Sequence, residues 1–416
     1  MTDRKNERYQ IGTAENAGFL RDGAEKLLAF GHRFPAPDGS SYWLGDDGTP
    51  WMDRNRETWI TCRMVHVYSI GCLLGHPESE ALVDAGLRGL RGALKDPEHG
   101  GWYAAVTPDG RPVGPKQCYA HAFVMLAASS ALLAKRPGAA RLLDEARTVY
   151  DRYFWDAEAG LAADTWDTAF TQPDPYRGIN ANMHSAEAFL AIADVTEDPS
   201  YRERAGRIIR HVIEWAGANN WRIPEHFHSD WSVDLAYHAD RKEDPFKPYG
   251  ATPGHGIEWA RLITQWALST YGSGTGAAAP YLTAAQHLYR RAVSDAWNAD
   301  GAPGIVYTTD WNGVPLVHDR MHWTLAEAIN TSSVLWKVTG GKEYAEDYAR
   351  FMQYLDETVK DPVNGSWFHQ LDAANHPIDT VWPGKPDIYH ALQAMLIPLY
   401  QPDLSIAKAV AFRRAV

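Results

Sequence analysis

Apolar residues recur along this chain at helical spacing, and the helices they predict come in pairs. The pattern places twelve helices over about 13–32, 56–75, 77–95, 117–135, 138–154, 182–195, 199–217, 255–272, 279–297, 321–339, 341–359 and 386–400. Short links join the second helix of a linked pair to the one before, among them Gly75-His76-Pro77, Lys135-Arg136-Pro137, Asp198-Pro199 and Thr339-Gly340-Gly341. The helix over 56–75 is apolar nearly all round, the mark of a helix buried on every side.

The remaining connections are long and carry short β-like pieces, over 42–48, 100–110, 155–161, 225–231, 304–313 and 365–372. Asp109-Gly110 and Asn312-Gly313, set among apolar residues, are hairpin signals. These segments recur roughly every 55–80 residues, so the repeating unit is helix, hairpin loop, helix. An open solenoid would keep a shorter and stricter period. Six loose units with long loops predict an all-α fold, an (α/α)6 barrel with short β-hairpins in the loops at one end. It is expected to form a single catalytic domain over 1–416. The helices that follow the long loops form the inner ring, so all six inner N-termini face the loop end, where sites concentrate.

Composition narrows the chemistry. The 17 tryptophans and 20 tyrosines suit the walls of a sugar pocket, because such rings stack on C–H faces and still donate hydrogen bonds. A net charge of −12 excludes nucleic acid as a partner. Cys62, Cys72 and Cys118 lack C-x-x-C spacing and read as buried free thiols of a reducing compartment. No run approaches the ~18 apolar residues of a membrane span, and the charged N-terminus leads into no signal-peptide core. A cytoplasmic protein is expected, with no membrane partner, a small molecule as its ligand, and a monomer or small homo-oligomer as its assembly.

The starts of the inner helices carry an unusual set of residues. They include Arg63 and His66, Tyr119 and His121, Asn180 and His184, His255 and Glu258, His322 and Trp323, and Asp387 and His390. Such groups inside an apolar ring are costly unless hydrogen-bonded or functional. His66 and His121 read equally well as satisfied core histidines, and His322 as a structural one. His255 alone reads as well as a surface histidine beside a capping carboxylate. His184 and His390 are better candidates for function. No His-Glu-x-x-His or comparable spacing indicates a metal, and no glycine-rich loop indicates a nucleotide cofactor. Two imidazoles across a substrate can trade protons near neutral pH. Glu258 can orient His255, and Arg63 can hold charge on an enediolate oxygen. The set suits proton abstraction beside a carbonyl better than glycoside hydrolysis, which needs two flanking carboxylates.

The motifs Trp59-Ile60-Thr61-Cys62-Arg63-Met64-Val65-His66, Gly178-Ile179-Asn180-Ala181-Asn182-Met183-His184, Thr252-Pro253-Gly254-His255-Gly256-Ile257-Glu258 and Asp387-Ile388-Tyr389-His390 resemble the N-acylglucosamine 2-epimerase superfamily, and within it the aldose–ketose isomerase branch. The resemblance runs nearly end to end. It implies an (α/α)6 barrel, a monosaccharide substrate and no metal or organic cofactor. It also implies His255 and His390 as an acid/base pair acting through a cis-enediol, with His390 moving the proton between C2 and C1 and His255 opening the ring. His184 matches a third histidine near the ring-opening oxygens, Glu258 the partner carboxylate and Arg63 an oxygen-binding arginine. Tyr119, Asn180, Phe246, Trp323 and Asp387 match positions around the sugar. Where sulfosugar-specific relatives carry an arginine and glutamines, this chain has Pro245, His369 and Pro386. The expected reaction is therefore D-mannose to D-fructose, with lyxose to xylulose beside it. Sulfoquinovose isomerisation and 2-epimerisation of N-acetylglucosamine or cellobiose are the alternatives.

Overall fold

The computed structural model of the chain describes residues 7–413. Residues 1–6, on which the expectation of no signal peptide partly rests, lie outside the described residues. All twelve predicted helices form. They are α1 (Ala14–Gly31), α2 (Thr58–Leu74), α3 (Ser79–Arg91), α4 (Cys118–Leu133), α5 (Ala139–Tyr153), α6 (Ile179–Thr196), α7 (Pro199–Ala218), α8 (Pro253–Tyr271), α9 (Ala279–Ala296), α10 (His322–Thr339), α11 (Lys342–Tyr354) and α12 (Tyr389–Leu396). A short α13 (Ile406–Ala411) was not predicted; six residues are too few for a periodic signal. Helix α12 is shorter than expected, because Pro398 turns its end into a single 3-10 turn.

Packing sorts the helices into two rings. Helices α2, α4, α6, α8, α10 and α12 follow one another round the inside, and α12 closes back on α2. Helices α1, α3, α5, α7, α9 and α11 each back onto an inner helix. The sequences explain the sorting. Along α3, Val83, Leu87 and Leu90 are buried while Arg88 and Arg91 cluster in the last turn, an amphipathic outer helix. Along α2, the run from Ile60 to Gly71 is buried throughout. The result is an (α/α)6 barrel.

A ring of backbone hydrogen bonds locks the loop end. The chain entering each inner helix donates to a carbonyl in the loop of a neighbouring unit. These bonds are Thr58 to Ala104 (3.0 Å), Cys118 to Asp164 (2.7 Å), Ile179 to Glu225 (3.1 Å), Ala251 to Thr309 (2.9 Å), His322 to His369 (3.0 Å) and Lys385 to Leu44 (2.9 Å). The last joins the final unit to the first. Helix starts have N–H groups without intrahelical partners, and among the described residues none of the six inner helices is capped by the side chain of its own N-cap residue. In four units a buried cation just ahead of the inner helix also pins an aspartate in its own loop: Arg56 to Asp38 (2.9 Å), Lys116 to Asp96 (2.8 Å), Arg320 to Asp300 (2.6 Å) and Lys385 to Asp361 (2.6 Å). Six inner N-termini are thus held in register around one opening.

At the other end α13 packs under α2, α4 and α6, and the Ser405 amide donates to Asp194 (2.7 Å). Among the described residues no helix is long and apolar enough to cross a membrane. Cys62 and Cys118 are buried as expected, with burial pushing the Cys118 thiol up to about 12. Cys72 is only half-buried, since it lies near the C-terminal end of α2.

Candidate active site

Helical period and the common register place side chains in tiers down the barrel axis. The second residues of the inner helices are Trp59, Tyr119, Asn180, Gly254, Trp323 and His390. The sixth residues, one turn deeper, are Arg63, Phe123, His184, Glu258, Glu327 and Ala394. The ninth are His66, Leu126, Glu187, Arg261, Asn330 and Ile397. Trp59, Tyr119, Asn180 and Trp323 are half-buried where the helix positions below them are buried, so the cleft opens at the first tier. Gly254 is required there: a Cβ on it would lie 2.6 Å from the Trp323 ring. With that space free, Trp323 lies between two imidazoles, its ring 5.2 Å from His255 and 6.0 Å from His390.

Three histidines each turn Nδ1 onto a carboxylate. His255 donates to Glu225 (2.9 Å), His184 to Glu187 (3.1 Å) and His390 to Glu327 (3.4 Å). A carboxylate on Nδ1 fixes the tautomer and leaves Nε2 for chemistry. Arg63 confirms that orientation at His390: it donates towards Nε2 (3.5 Å), to Tyr119 Oη (3.0 Å) and to Asp387 (3.1 Å). Its guanidinium is packed among the rings of Trp59, Phe123 and Tyr389.

Glu258 is not the carboxylate of His255. It points deeper, to Arg261 (3.3 Å), which also donates to Glu327 (2.7 Å). The reason is register: with the helix starting at Pro253, Glu258 belongs to the second tier and His255 to the mouth. Burial, and then the charge of neighbouring Glu327, push the Glu258 carboxyl well above the usual carboxylate range, against the pull of Arg261. Ionisation of Glu258 is therefore disfavoured by its surroundings, against its bond to Arg261. Burial also opposes ionisation of Glu187, but the bond from His184 and its charge outweigh it and hold the carboxyl low. Burial pulls His184 down, partly offset by Glu187. Burial, then Arg63 and His322, hold His390 well below the usual imidazole range. His390 is thus held neutral, with Nε2 facing Arg63.

A family model for N-acylglucosamine 2-epimerase (GlcNAc 2-epimerase) matches residues 39–394. The chain belongs to the N-acylglucosamine 2-epimerase family. Across 406 residues it is 42% identical to a D-mannose isomerase of Thermobifida fusca, covering 96% of this chain and 98% of that one. A D-mannose isomerase of Pseudomonas cannabina pv. alisalensis is 40% identical over 388 residues, 93% of each chain. The crystal structure of a D-mannose isomerase superposes with a TM-score of 0.85 at 26% identity, over 92% of this chain and 97% of that one. A cellobiose 2-epimerase from Spirochaeta thermophila shares the fold, with a TM-score of 0.79 at 20% identity over 92% and 96% of the two chains. This member of the epimerase family is an isomerase.

The other predicted positions fall into place around that centre. Among the described residues, the buried Oδ1 atom of Asn180 has no hydrogen-bond partner. Asp387 is buried, pairs with Arg63 and accepts from the Tyr389 amide (2.8 Å). Phe246, expected in the pocket wall, is 67% exposed and stands at the rim, its ring 6.0 Å from Trp382. His121 is a satisfied core histidine, donating to the Gln117 carbonyl (2.7 Å) and accepting from the Trp102 amide (3.2 Å). His66 lies in the third tier against Ser130 (2.7 Å), and His322 stacks on His369 (3.7 Å).

The sequence reading missed Glu187, Arg261, Glu225 and Glu327. The first two lie three residues after His184 and Glu258 on the same helices, so helical spacing could have found them. Among the described residues, His184, Glu187 and Glu258 bring donor atoms within 4.8 Å of one another, a spacing that could hold a metal ion in this family member. Protein groups already engage those donors: Glu187 takes bonds from His184 and Tyr389 (2.6 Å), and Glu258 takes one from Arg261.

Proposed function

We propose that the protein is an aldose–ketose isomerase that interconverts D-mannose and D-fructose through a cis-enediol, without a metal. One observation carries the reading: two imidazoles flank Trp323, each with Nδ1 on a carboxylate, and Arg63 stands beside one of them. In this scheme neutral His390 takes the proton from C2 and returns it to C1. Arg63 and Tyr119 hold the oxygen on which charge develops, where a fixed donor in a water-poor site is most effective. His255, nearer the mouth, moves the ring-oxygen proton when the pyranose opens.

A neutral sugar fits the rim. The cations near Phe246 are already engaged, with the Lys247 ammonium 3.6 Å from the centre of the Tyr176 ring and Arg241 on His238. Pro245, where sulfosugar-specific relatives carry an arginine, supplies no fork for the charge-assisted recognition that a sulfonate needs. The D-mannose isomerases named above, at about 40% identity over almost the whole chain, support the same substrate. Incubation with mannose in deuterated water should give fructose, with label at C1. Glucose as the sole product would make the protein a 2-epimerase instead, and faster turnover of sulfoquinovose than of mannose would overturn the choice of sugar.

A further inference from the structure

His255 is held by a residue that belongs to neither its helix nor any other. Glu225 lies in the loop between α7 and α8, thirty residues before His255. It is 5% exposed, its Oε2 takes the His255 Nδ1 bond, and its Oε1 has no protein partner. Its backbone is fixed equally firmly. The Glu225 carbonyl accepts from the Ile179 amide at the first residue of α6 (3.1 Å). The next residues, His226 and Phe227, pair with Gly178 and Arg177 as a two-residue antiparallel ladder. The His226 ring closes the anchor, with Tyr176 Oη at 2.7 Å and the Pro248 carbonyl at 2.8 Å. Glu225 is thus a strut from the start of α6, the helix of His184, to the imidazole on α8.

The other two carboxylates on the site histidines are shared. Glu327 also binds Arg261, and Glu187 also binds Tyr389. Glu225 has no second protein donor, so its whole charge acts on one ring. We propose that Glu225 is the positioning residue of His255, fixing its tautomer and orientation and supporting positive charge on it during turnover. The inference rests on the isomerase reading for its kinetic part, but not for the bond itself. A carboxylate held in this way orients the ring that moves the proton and does not touch substrate.

A double-mutant cycle tests it with Glu225→Gln, His255→Asn and the pair. Glu225→Gln should lower kcat for mannose by about tenfold or more while KM stays within about twofold. The double variant should be no slower than His255→Asn alone. A merely structural role would instead add its loss to that of His255→Asn, and that result overturns the proposal, as does a Glu225→Gln enzyme with the parent rate. Proton NMR of the free protein gives the independent arm: one downfield imidazole N–H resonance should vanish in both single variants. If it persists in Glu225→Gln, the pair is not formed and the proposal fails. If it vanishes while the parent leaves mannose unchanged, the pair stands and the substrate reading fails. Thermal melting of each variant separates unfolding from these outcomes, and Glu225→Asp, too short to reach Nδ1, should repeat the kinetic loss without removing a buried charge.

Discussion

The two sides of the cleft are built differently. The His390 side is made from inner helices alone: Arg63 from α2, Glu327 from α10 and His390 from α12, with Asp387 just ahead of α12. Its groups are buried and hydrogen-bonded to one another. The His255 side takes its carboxylate from a loop, and its ring is 14% exposed. Helices give the fixed, dry geometry that a carbon acid needs, since a proton leaves carbon only when base and oxyanion support are already in place. Loops give the access that a sugar needs to enter. The dry side should therefore respond to substitution far more than the open one.

The largest effect is expected at His390. His390→Ala removes the neutral base and should lower kcat for mannose by about 10²–10⁴-fold, measured as fructose formed, with mannose binding by calorimetry retained. A variant that keeps the parent rate would move the carbon-bound proton to His255 and reverse the division proposed for the two sides.

Next comes Arg63→Met. It leaves Asp387 charged, buried and without its cation, and breaking such a pair costs about 3–5 kcal/mol. Urea unfolding should show that loss together with a collapse of activity. Asp387 is held below the usual carboxylate range against its own burial, with Arg63 as the largest favourable cause, so the variant removes the main support of its charge. A variant with unchanged stability would mean that the dry side is less tightly coupled than its geometry requires.

The same contrast explains what could be read from the sequence. The paired helices, the closed barrel and seven of the site residues were legible because inner-helix starts are local features: a turn signal, then a polar residue where an apolar one belongs. Depth was not legible. Placing α6 at 182 and α8 at 255, against the observed Ile179 and Pro253, shifts the tiers by two or three positions. The i, i+3 spacing of His255 and Glu258 made them look like partners, but it gives a shared face and not a shared depth. Glu225 and Glu327 reach their histidines across 30 and 63 residues, and no periodicity within one element reports such a contact. Phe246 was placed in the wall because its position along the chain carries no measure of height above the cleft.

Acidification should sharpen the comparison through stability. Burial lowers His66 and His322 to about 4 and His121 to about 3, and pulls His184, His369 and His390 down as well. A histidine whose folded pKa is depressed binds its proton first in the unfolded chain. Its contribution is intact above the unfolded value of about 6.5 and lost as pH falls from there towards 4, by up to about 1.4 kcal/mol per pH unit each. Five carboxyls act in the opposite sense, Glu57, Asp164, Asp194, Glu258 and Asp347. Raised by burial, Glu57 to about 7, they favour the fold below their unfolded values of about 4 and lose that contribution as pH rises through their folded values. The six histidines outnumber them, so urea midpoints should fall steadily between pH 6.5 and 4.5. A flat profile would require the buried imidazoles to be wet.

The smallest effect is expected at the rim. Phe246→Ala removes a ring that is 67% exposed and touches the site only through Trp382, which in turn packs edge-on against Trp59 at 5.9 Å. An exposed ring gains area only when a ligand covers it, so its removal weakens ground state and transition state alike. KM for mannose should rise by about two- to fivefold with kcat unchanged, the signature of lost uniform binding. A fall in kcat as well would show that Phe246 closes over the sugar during turnover. The cleft would then be dry on both sides once substrate is bound, and the difference between them would belong to the empty enzyme alone.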